Sequence, residues 1–320
     1  MKKVVRNLLF IGTANWPQRL SGLANKYCEG EVVSRAVSLS FRNIPYLLYW
    51  LVKSDSIVRV GLRPGIRKWK MVFFDCVWHF LRIINRKALF YYYWIGTDVM
   101  MACKSQSESN IFLKLSKKDV HLVGAPWFVD ELKCVGIDSE LRLFPLDMSF
   151  DTISPQSLGG VSVLTYIPDA RSDFYGGDFI LSLARKYSEI DFHVVGGGGS
   201  WVDCKFNNVK FHGWVPDINV FLASRPIIIR LVPHDAIGGT IREGLAYGCH
   251  VICTYNIPGC HKVIFGSTKD LFSVFDKVLA LRLDLGTAFN QGGFSYAQEN
   301  WNPDMLTRSL VGRLTAGASS

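Results

Sequence analysis

Residues 227–255 read IIIRLVPHDAIGGTIREGLAYGCHVICTY, and this stretch decides the fold. The β-branched run 227–229 leads through Arg230 into a loop containing Pro233, His234 and Asp235. Gly238 and Gly239 open a short amphipathic segment that carries Glu243 and closes at Gly248, and a second apolar run, His250 to Tyr255, begins at once. β-branched runs favour strands, and apolar residues at helical spacing between glycines favour a helix. Strand, loop, helix, strand is a βαβ unit of a parallel sheet, and such sheets bind ligands beyond the carboxyl ends of their strands. The first turn of the helix offers backbone N–H groups and a positive dipole end, both suited to a phosphate. Asp235 before the helix and Glu243 inside it flank that point and can take hydroxyl groups on either side of a bound diphosphate.

The pattern extends upstream. Residues 160–168, 191–197 and 209–215 read as strands, and Gly177–Tyr187 and Asp217–Ser224 as helices. Alternation at this spacing predicts a doubly wound parallel sheet. The first half alternates less clearly. Its strand candidates are Val4–Gly12, Ile57–Val60, Leu89–Ile95 and Val120–Val123, and its helix candidates Asn43–Val52, Lys70–Ile84 and Pro126–Val135. The Pro/Ser/Gly-rich stretch 152–160 marks a linker. With 320 residues the chain suits two domains of about 150 each. The expected division is 1–152, 160–300, and a terminal segment 301–320 returning to the first domain.

At Asp235, the glycine loop, Glu243 and Gly248 the sequence resembles the retaining GT-B glycosyltransferases of the large GT4 group. Their signature is an acidic residue, seven positions, then Glu; Asp235 stands here where the family usually has Glu. The resemblance implies an α/β GT-B fold, two Rossmann-like doubly wound domains facing a central cleft, and a UDP- or GDP-linked sugar as donor. It implies that Asp235 and the amides of Ala236, Ile237, Gly238, Gly239 and Thr240 hold the sugar and diphosphate, that Glu243 binds the ribose, and that no metal or other cofactor is needed. Arg171, in the loop IPDARSDFYGGD (167–178), stands for a family Arg, while Tyr175 replaces the family Lys and Arg230 can compensate for it by a charge-assisted contact. The tetrad 95–98 resembles the family's His-Gly-Ser-Asp, with Ile95 in place of His and Asp98 as an acceptor-side or structural carboxylate. His234, beside Asp235, is the best remaining histidine for the chemistry. Trp214 and Val215, after the strand at 209, complete the expected donor site. An apolar Ile95 against the donor sugar would favour a 6-deoxysugar or a pentose. Rivals are a nucleotide-sugar 2-epimerase of the same fold and a non-catalytic subunit that binds a partner transferase.

Other features are read from the residues alone. The run Gly196–Gly199 allows close backbone approach, so Gly197 and Gly198 can abut a nucleotide or simply form a turn. It is not GxGxxG, and no Walker sequence occurs, which argues against dinucleotide and ATP sites. The eight cysteines form no CxxC pair and read as reduced packing residues. The opening MKKVVRNLLFIG is too short in its apolar run for a signal peptide and reads as a first strand.

Charge is uneven. Residues 1–100 hold 16 of the 36 Lys and Arg but only 5 of the 27 Asp and Glu, a local balance of +11 within a total of +9. The same half carries IPYLLYWLVK (44–53), RKWKMVFFDCVWHFLRIINRK (67–87) and FYYYW (90–94). Basic residues interleaved with aromatics suit an anionic bilayer surface; a buried core with a charged rim is the plainer alternative. No nucleic-acid-binding module is recognisable. The expected setting is cytoplasmic, at the inner face of the cell membrane, with a glycan acceptor that is lipid-linked or part of a polysaccharide.

Overall fold

The computed structural model describes residues 5–12, 15–61, 69–104, 119–148, 150 and 160–316. Residues 152–159 of the linker expected at 152–160, and the basic residues Arg67 and Lys68, lie outside the described residues. Two compact units divide the chain: residues 1–147, 234–236 and 302–320 in the first, and 148–233 and 237–301 in the second.

The first unit runs β1 (Arg6–Gly12), α1 (Trp16–Tyr27), β2 (Val32–Ser38), α2 (Ile44–Lys53), β3 (Ser56–Val60), α3 (Trp69–Ile84), β4 (Leu89–Trp94), α4 (Thr97–Lys104), β5 (Val120–Val123), α5 (Trp127–Cys134) and β6 (Glu140–Leu141). The strands form one parallel sheet in the order β2-β1-β3-β4-β5-β6. Neither α1 nor β2 was expected. WPQRLSGLANKY keeps a helical spacing at Pro17, Leu20, Leu23 and Ala24 but is polar on average, and VVSRAVS is broken by Ser and Arg, so neither stands out as a buried element.

The second unit runs β7 (Ser162–Tyr166), α6 (Gly177–Lys186), β8 (Asp191–Val195), β9 (Val209–Phe211), α7 (Asn219–Leu222), β10 (Ile227–Arg230), α8 (Gly239–Ala246), β11 (Val251–Cys253), β12 (Cys260–Lys262), α9 (Thr268–Leu283) and α10 (Gln291–Asn300). Its sheet is also parallel, in the order β12-β11-β10-β7-β8-β9. From β7 the chain winds outward to β9 on one side, then returns to β10 and winds outward on the other. The reversal leaves a switch point between β7 and β10, where an open α/β sheet has its crevice.

Helix α11 (Pro303–Ala316) belongs to the first unit. It buries Leu310, Val311 and Leu314 with Leu8, Phe10, Val58, Val60, Tyr91 and Tyr93. Polar contacts fix its end. The Arg313 guanidinium grips Glu140 through Nε at 2.7 Å and Nη2 at 2.6 Å, and the Tyr91 hydroxyl donates to the Arg313 carbonyl at 3.1 Å. A bidentate Arg–carboxylate pair has a fixed fork geometry, so it sets direction as well as distance.

Strand β4 corrects one expectation. The rings of 90–94 do not face a membrane; all five are buried. Tyr91 and Tyr93 pack toward α11, while Phe90 and Tyr92 meet Trp78 of α3 at 5.2 and 5.4 Å, and the Trp94 indole donates to His121 at 3.0 Å. A central parallel strand is covered on both faces, so large residues on both sides of β4 are core. Three cysteines also depart from the packing role: Cys76, Cys134 and Cys204 are exposed, while Cys249 is buried and its thiol pushed up to about 12.

In the second unit Phe275 of α9 meets Tyr187 in a tilted contact at 4.7 Å and stacks with Phe192 at 6.5 Å between rings. Helix α8 lies close on the sheet because Gly244 has no side chain; a Cβ there would stand 2.7 Å from Ile228 Cγ1. Arg282 donates to the carbonyls of Arg225 and Ser224 at 2.8 and 2.9 Å, satisfying acceptors just past the end of α7.

Asp119, at the foot of β5, is nearly inaccessible, with its side chain 2% exposed against Arg82. Burial raises its carboxyl to about 6 despite the opposing charge and hydrogen bond of Arg82 and a hydrogen bond with Tyr92. The folded chain therefore holds this proton more tightly than the unfolded chain, whose aspartates titrate near 3.9. The contribution to stability is full below about pH 4 and is lost as pH rises through about 6, with a slope of at most about 1.4 kcal/mol per pH unit. Urea denaturation between pH 4 and 7 should show wild-type stability falling relative to Asp119→Asn over this window, then running parallel above it.

Candidate active site

The switch point between β7 and β10 collects a cationic and aromatic cluster within the second unit. After β7 the chain makes two 3-10 turns, Asp169–Arg171 and Asp173–Tyr175, then reaches α6 through Gly176. Gly176 has φ +68°, and a Cβ there would stand 2.8 Å from Leu231 Cβ, so both conformation and space demand glycine. Arg171 lies 4.0 Å over the Phe174 ring and 5.6 Å over Tyr175. Arg230, at the end of β10, lies 5.2 Å over Tyr175 and 6.0 Å over Tyr166. Tyr166 and Tyr175 meet edge to face at 5.4 Å. Tyr175, where the family has Lys, is thus a platform between two guanidiniums. Burial raises the Tyr166 phenol, reinforced by Tyr175 and opposed by the charges of Arg230 and Arg171.

Arg230 also lies against Gly238, where a Cβ would stand 2.3 Å from its Nε. Gly238 is the N-cap of α8 and no side chain caps that end. A guanidinium beside a helix N-terminus places positive charge beside a positive dipole end, an arrangement that favours an anion. Ile237 and Gly238 are buried, Gly239 and Thr240 begin the helix, and the buried Thr240 hydroxyl has no hydrogen-bond partner among the described residues. Glu243, half-buried, is one turn further on.

The glycine loop packs against Asp169. The amides of Gly198, Gly199 and Ser200 donate to the Asp169 carboxylate at 2.9, 2.9 and 3.3 Å. These bonds, chiefly that from Gly198, hold the Asp169 carboxyl below the usual range. Gly197 closes on the Ile167 carbonyl and Asp169, each within 2.6 Å of where a Cβ would stand. The loop therefore clamps the start of the segment that carries Arg171. Gly196 and Gly213 are bonded backbone to backbone at 2.6 Å, which sets Trp214 and Val215 beside the glycine loop. Trp214 is 72% exposed and Val215 half-buried.

Residues 234–236 belong to the first unit. The His234 Nε2 and Glu131 Oε2 atoms are 2.7 Å apart, and the imidazole stacks on Phe128 with rings 5.3 Å apart and 19° from parallel. Trp127 Nε1 donates to the Asp235 carbonyl at 2.9 Å. The Ala236 amide donates to Asp235 Oδ1 at 2.9 Å. Trp127, Phe128 and Glu131 were not expected at a site; the only signal is an aromatic pair and a carboxylate on one short helix.

Asp98 is buried and accepts from the amides of Ile95 at 3.1 Å, Gly96 at 2.8 Å and Val99 at 3.0 Å. It holds the turn that leads into α4. At Gly96, φ is +142° and a Cβ would stand 3.5 Å from Asp235 Oδ1 and from the Ala236 amide. Ile95 packs on the first core, 3.2 Å from a Cβ built at Gly61, so this side chain lends no support to a deoxysugar pocket. Among the described residues no group of three or more His, Cys, Asp or Glu side chains is placed to hold a metal ion.

No protein-family model matches the chain, and no curated protein matches it in sequence. Solved structures do match. Anabaena Alr3699/HepE, solved with UDP and glucose, has a TM-score of 0.70 at 14% identity, over 97% of this chain and all of the other. Sucrose-phosphate synthase from Thermosynechococcus elongatus has a TM-score of 0.70 at 13% identity, over 98% of this chain and all of the other. An alpha-glucosyltransferase solved with UDP and a 13-mer DNA has a TM-score of 0.64 at 10% identity, over 97% of this chain and all of the other. At this level of identity the likeness shows fold. The chain, with its two six-stranded parallel sheets, has the GT-B fold of these glycosyltransferases.

Proposed function

We propose that the chain transfers a sugar from a UDP- or GDP-linked donor to an acceptor hydroxyl, with retention at the anomeric carbon and without a metal. The observation that carries this reading is the cluster at the β7–β10 switch point: Arg171 and Arg230 on either side of Tyr175, against the uncapped start of α8. Two guanidiniums and a helix N-terminus are preorganised for the diphosphate, whose negative charge grows as the bond from its oxygen to the sugar breaks. Glu243 takes the ribose hydroxyls and the exposed Trp214 offers a flat apolar face to the base. Asp235 takes the sugar. The departing phosphate oxygen receives the acceptor's proton as the new glycosidic bond forms on the same face. Two of the fold neighbours were solved with UDP, which supports a nucleotide donor. The acceptor we assign is a membrane-borne glycan on the cytoplasmic side.

Incubation with UDP- and GDP-sugars, with and without lipid-linked acceptors, tests the reading. Nucleotide release that requires acceptor supports it. A free epimer without acceptor assigns a 2-epimerase instead, and binding without turnover assigns a non-catalytic subunit.

Two substitutions separate the roles. Glu243→Ala should weaken nucleotide affinity by about 1.5–3 kcal/mol with the fold intact, since it removes a charged hydrogen-bond partner; calorimetry with free UDP and GDP reads it, and unchanged affinity removes Glu243 from the site. Asp235→Ala should lower turnover while leaving the affinity for free nucleotide unchanged. An equal loss in both would show that Asp235 does not act on the sugar.

A further inference from the structure

Two helices of the first unit expose apolar side chains. On α2, Leu47 and Leu51 point into the core while Tyr46, Leu48, Tyr49 and Val52 are exposed. On α3, Trp78 is buried, and among the side chains described Phe73, Cys76, Phe80, Ile83 and Ile84 are exposed. Their spacing of three to four residues makes one apolar stripe along a helix about 24 Å long. Ile83 is 63% exposed, Val52 59% and Phe80 57%. The two helices are neighbours. A helix of a water-exposed surface carries polar residues on such a face, and clustered exposed apolar residues mark a docking surface.

Charge selects the occupant. Arg42, Lys53, Arg86 and Lys87, at the ends of these helices, are all exposed. Residues 42–87 hold ten Lys and Arg against two Asp and no Glu. Lys53 shows the local geometry: its ammonium donates to the Tyr49 hydroxyl at 2.7 Å and lies 4.5 Å over that ring, so its aliphatic stem follows the apolar face and sets a positive charge at the exposed Tyr49. A second copy of the chain would set like charges against each other across this face; an anionic surface neutralises them. With 10 and 16 residues the helices are too short to span a bilayer, which takes about 20. They suit insertion parallel to the surface.

We propose that the outer faces of α2 and α3 form one docking face for an anionic bilayer, with both helices lying in the headgroup plane. The proposal rests on the membrane-borne acceptor reading above and gives it a location, on residues separate from the donor site. Tyr46 and Tyr49 sit at the level where amphipathic rings are favoured, Phe80, Ile83, Ile84 and Val52 enter the acyl boundary, and Lys53, Arg86 and Lys87 meet lipid phosphates.

Co-sedimentation with phosphatidylcholine vesicles, with and without phosphatidylserine, tests it. Wild type should bind the phosphatidylserine vesicles at low salt and release as salt rises. Each neutralised cation near the surface should weaken binding about fivefold, so Lys53→Gln, Arg86→Gln and Lys87→Gln together should nearly abolish it. Phe80→Asp with Ile83→Asp should lower binding at least tenfold even at low salt, which separates insertion from charge attraction alone; no change there overturns the insertion. Both sites are exposed, and calorimetry with free nucleotide on the same variants, expected unchanged, shows that they fold. Wild type that ignores phosphatidylserine vesicles at low salt overturns the proposal. So does a dimer in sedimentation velocity that Phe80→Asp with Ile83→Asp dissolves, since a second copy would then occupy the face. Vesicle binding without nucleotide binding would leave the docking face standing and sink the transferase reading.

Discussion

The reversal of strand order between β7 and β10 governs the second unit. Because neighbouring strands lead away in opposite directions, their carboxyl ends leave a gap that no connecting helix fills. Arg171 enters it from the loop after β7 and Arg230 from the end of β10, with Tyr166 and Tyr175 between them. Gly238 lets Arg230 rest on the backbone where α8 begins. Any side chain at 238 would displace the guanidinium and with it the coincidence of cation and helix end.

Much of this was legible in the sequence because the βαβ signal at 227–255 combines several independent cues: a β-branched run, paired glycines, helical periodicity and a closing glycine. Arg171, Arg230 and Tyr175 could be named as candidates from their places relative to the strands. What they do to one another could not. That Tyr175 is a platform for both arginines depends on the turns 169–175 folding back over β10, and no local pattern encodes that. The glycine run shows the same boundary. Four consecutive glycines announce close approach, yet the approaching group is Asp169, about thirty residues upstream, and only the pairing of β7 with β8 brings them together.

The first unit was harder to read for a physical reason. Its aromatic clusters are similar in composition but opposite in fate: 90–94 is a central strand buried on both faces, while Tyr46, Tyr49, Phe73 and Phe80 are exposed on helices. Composition does not separate them. The separation comes from which segment the sheet places at its centre, and from Trp78, which turns one side of α3 inward and thereby turns the stripe at 73, 76, 80, 83 and 84 outward.

Asp169 carries a further consequence. Three amides that would otherwise offer a cradle to any passing anion are filled by a carboxylate of the same chain. A small anion arriving at these three amides therefore finds them already taken by the chain's own carboxylate. Because the same amides hold the Asp169 carboxyl below the usual range, the clamp outlasts the pH at which an ordinary aspartate takes up its proton.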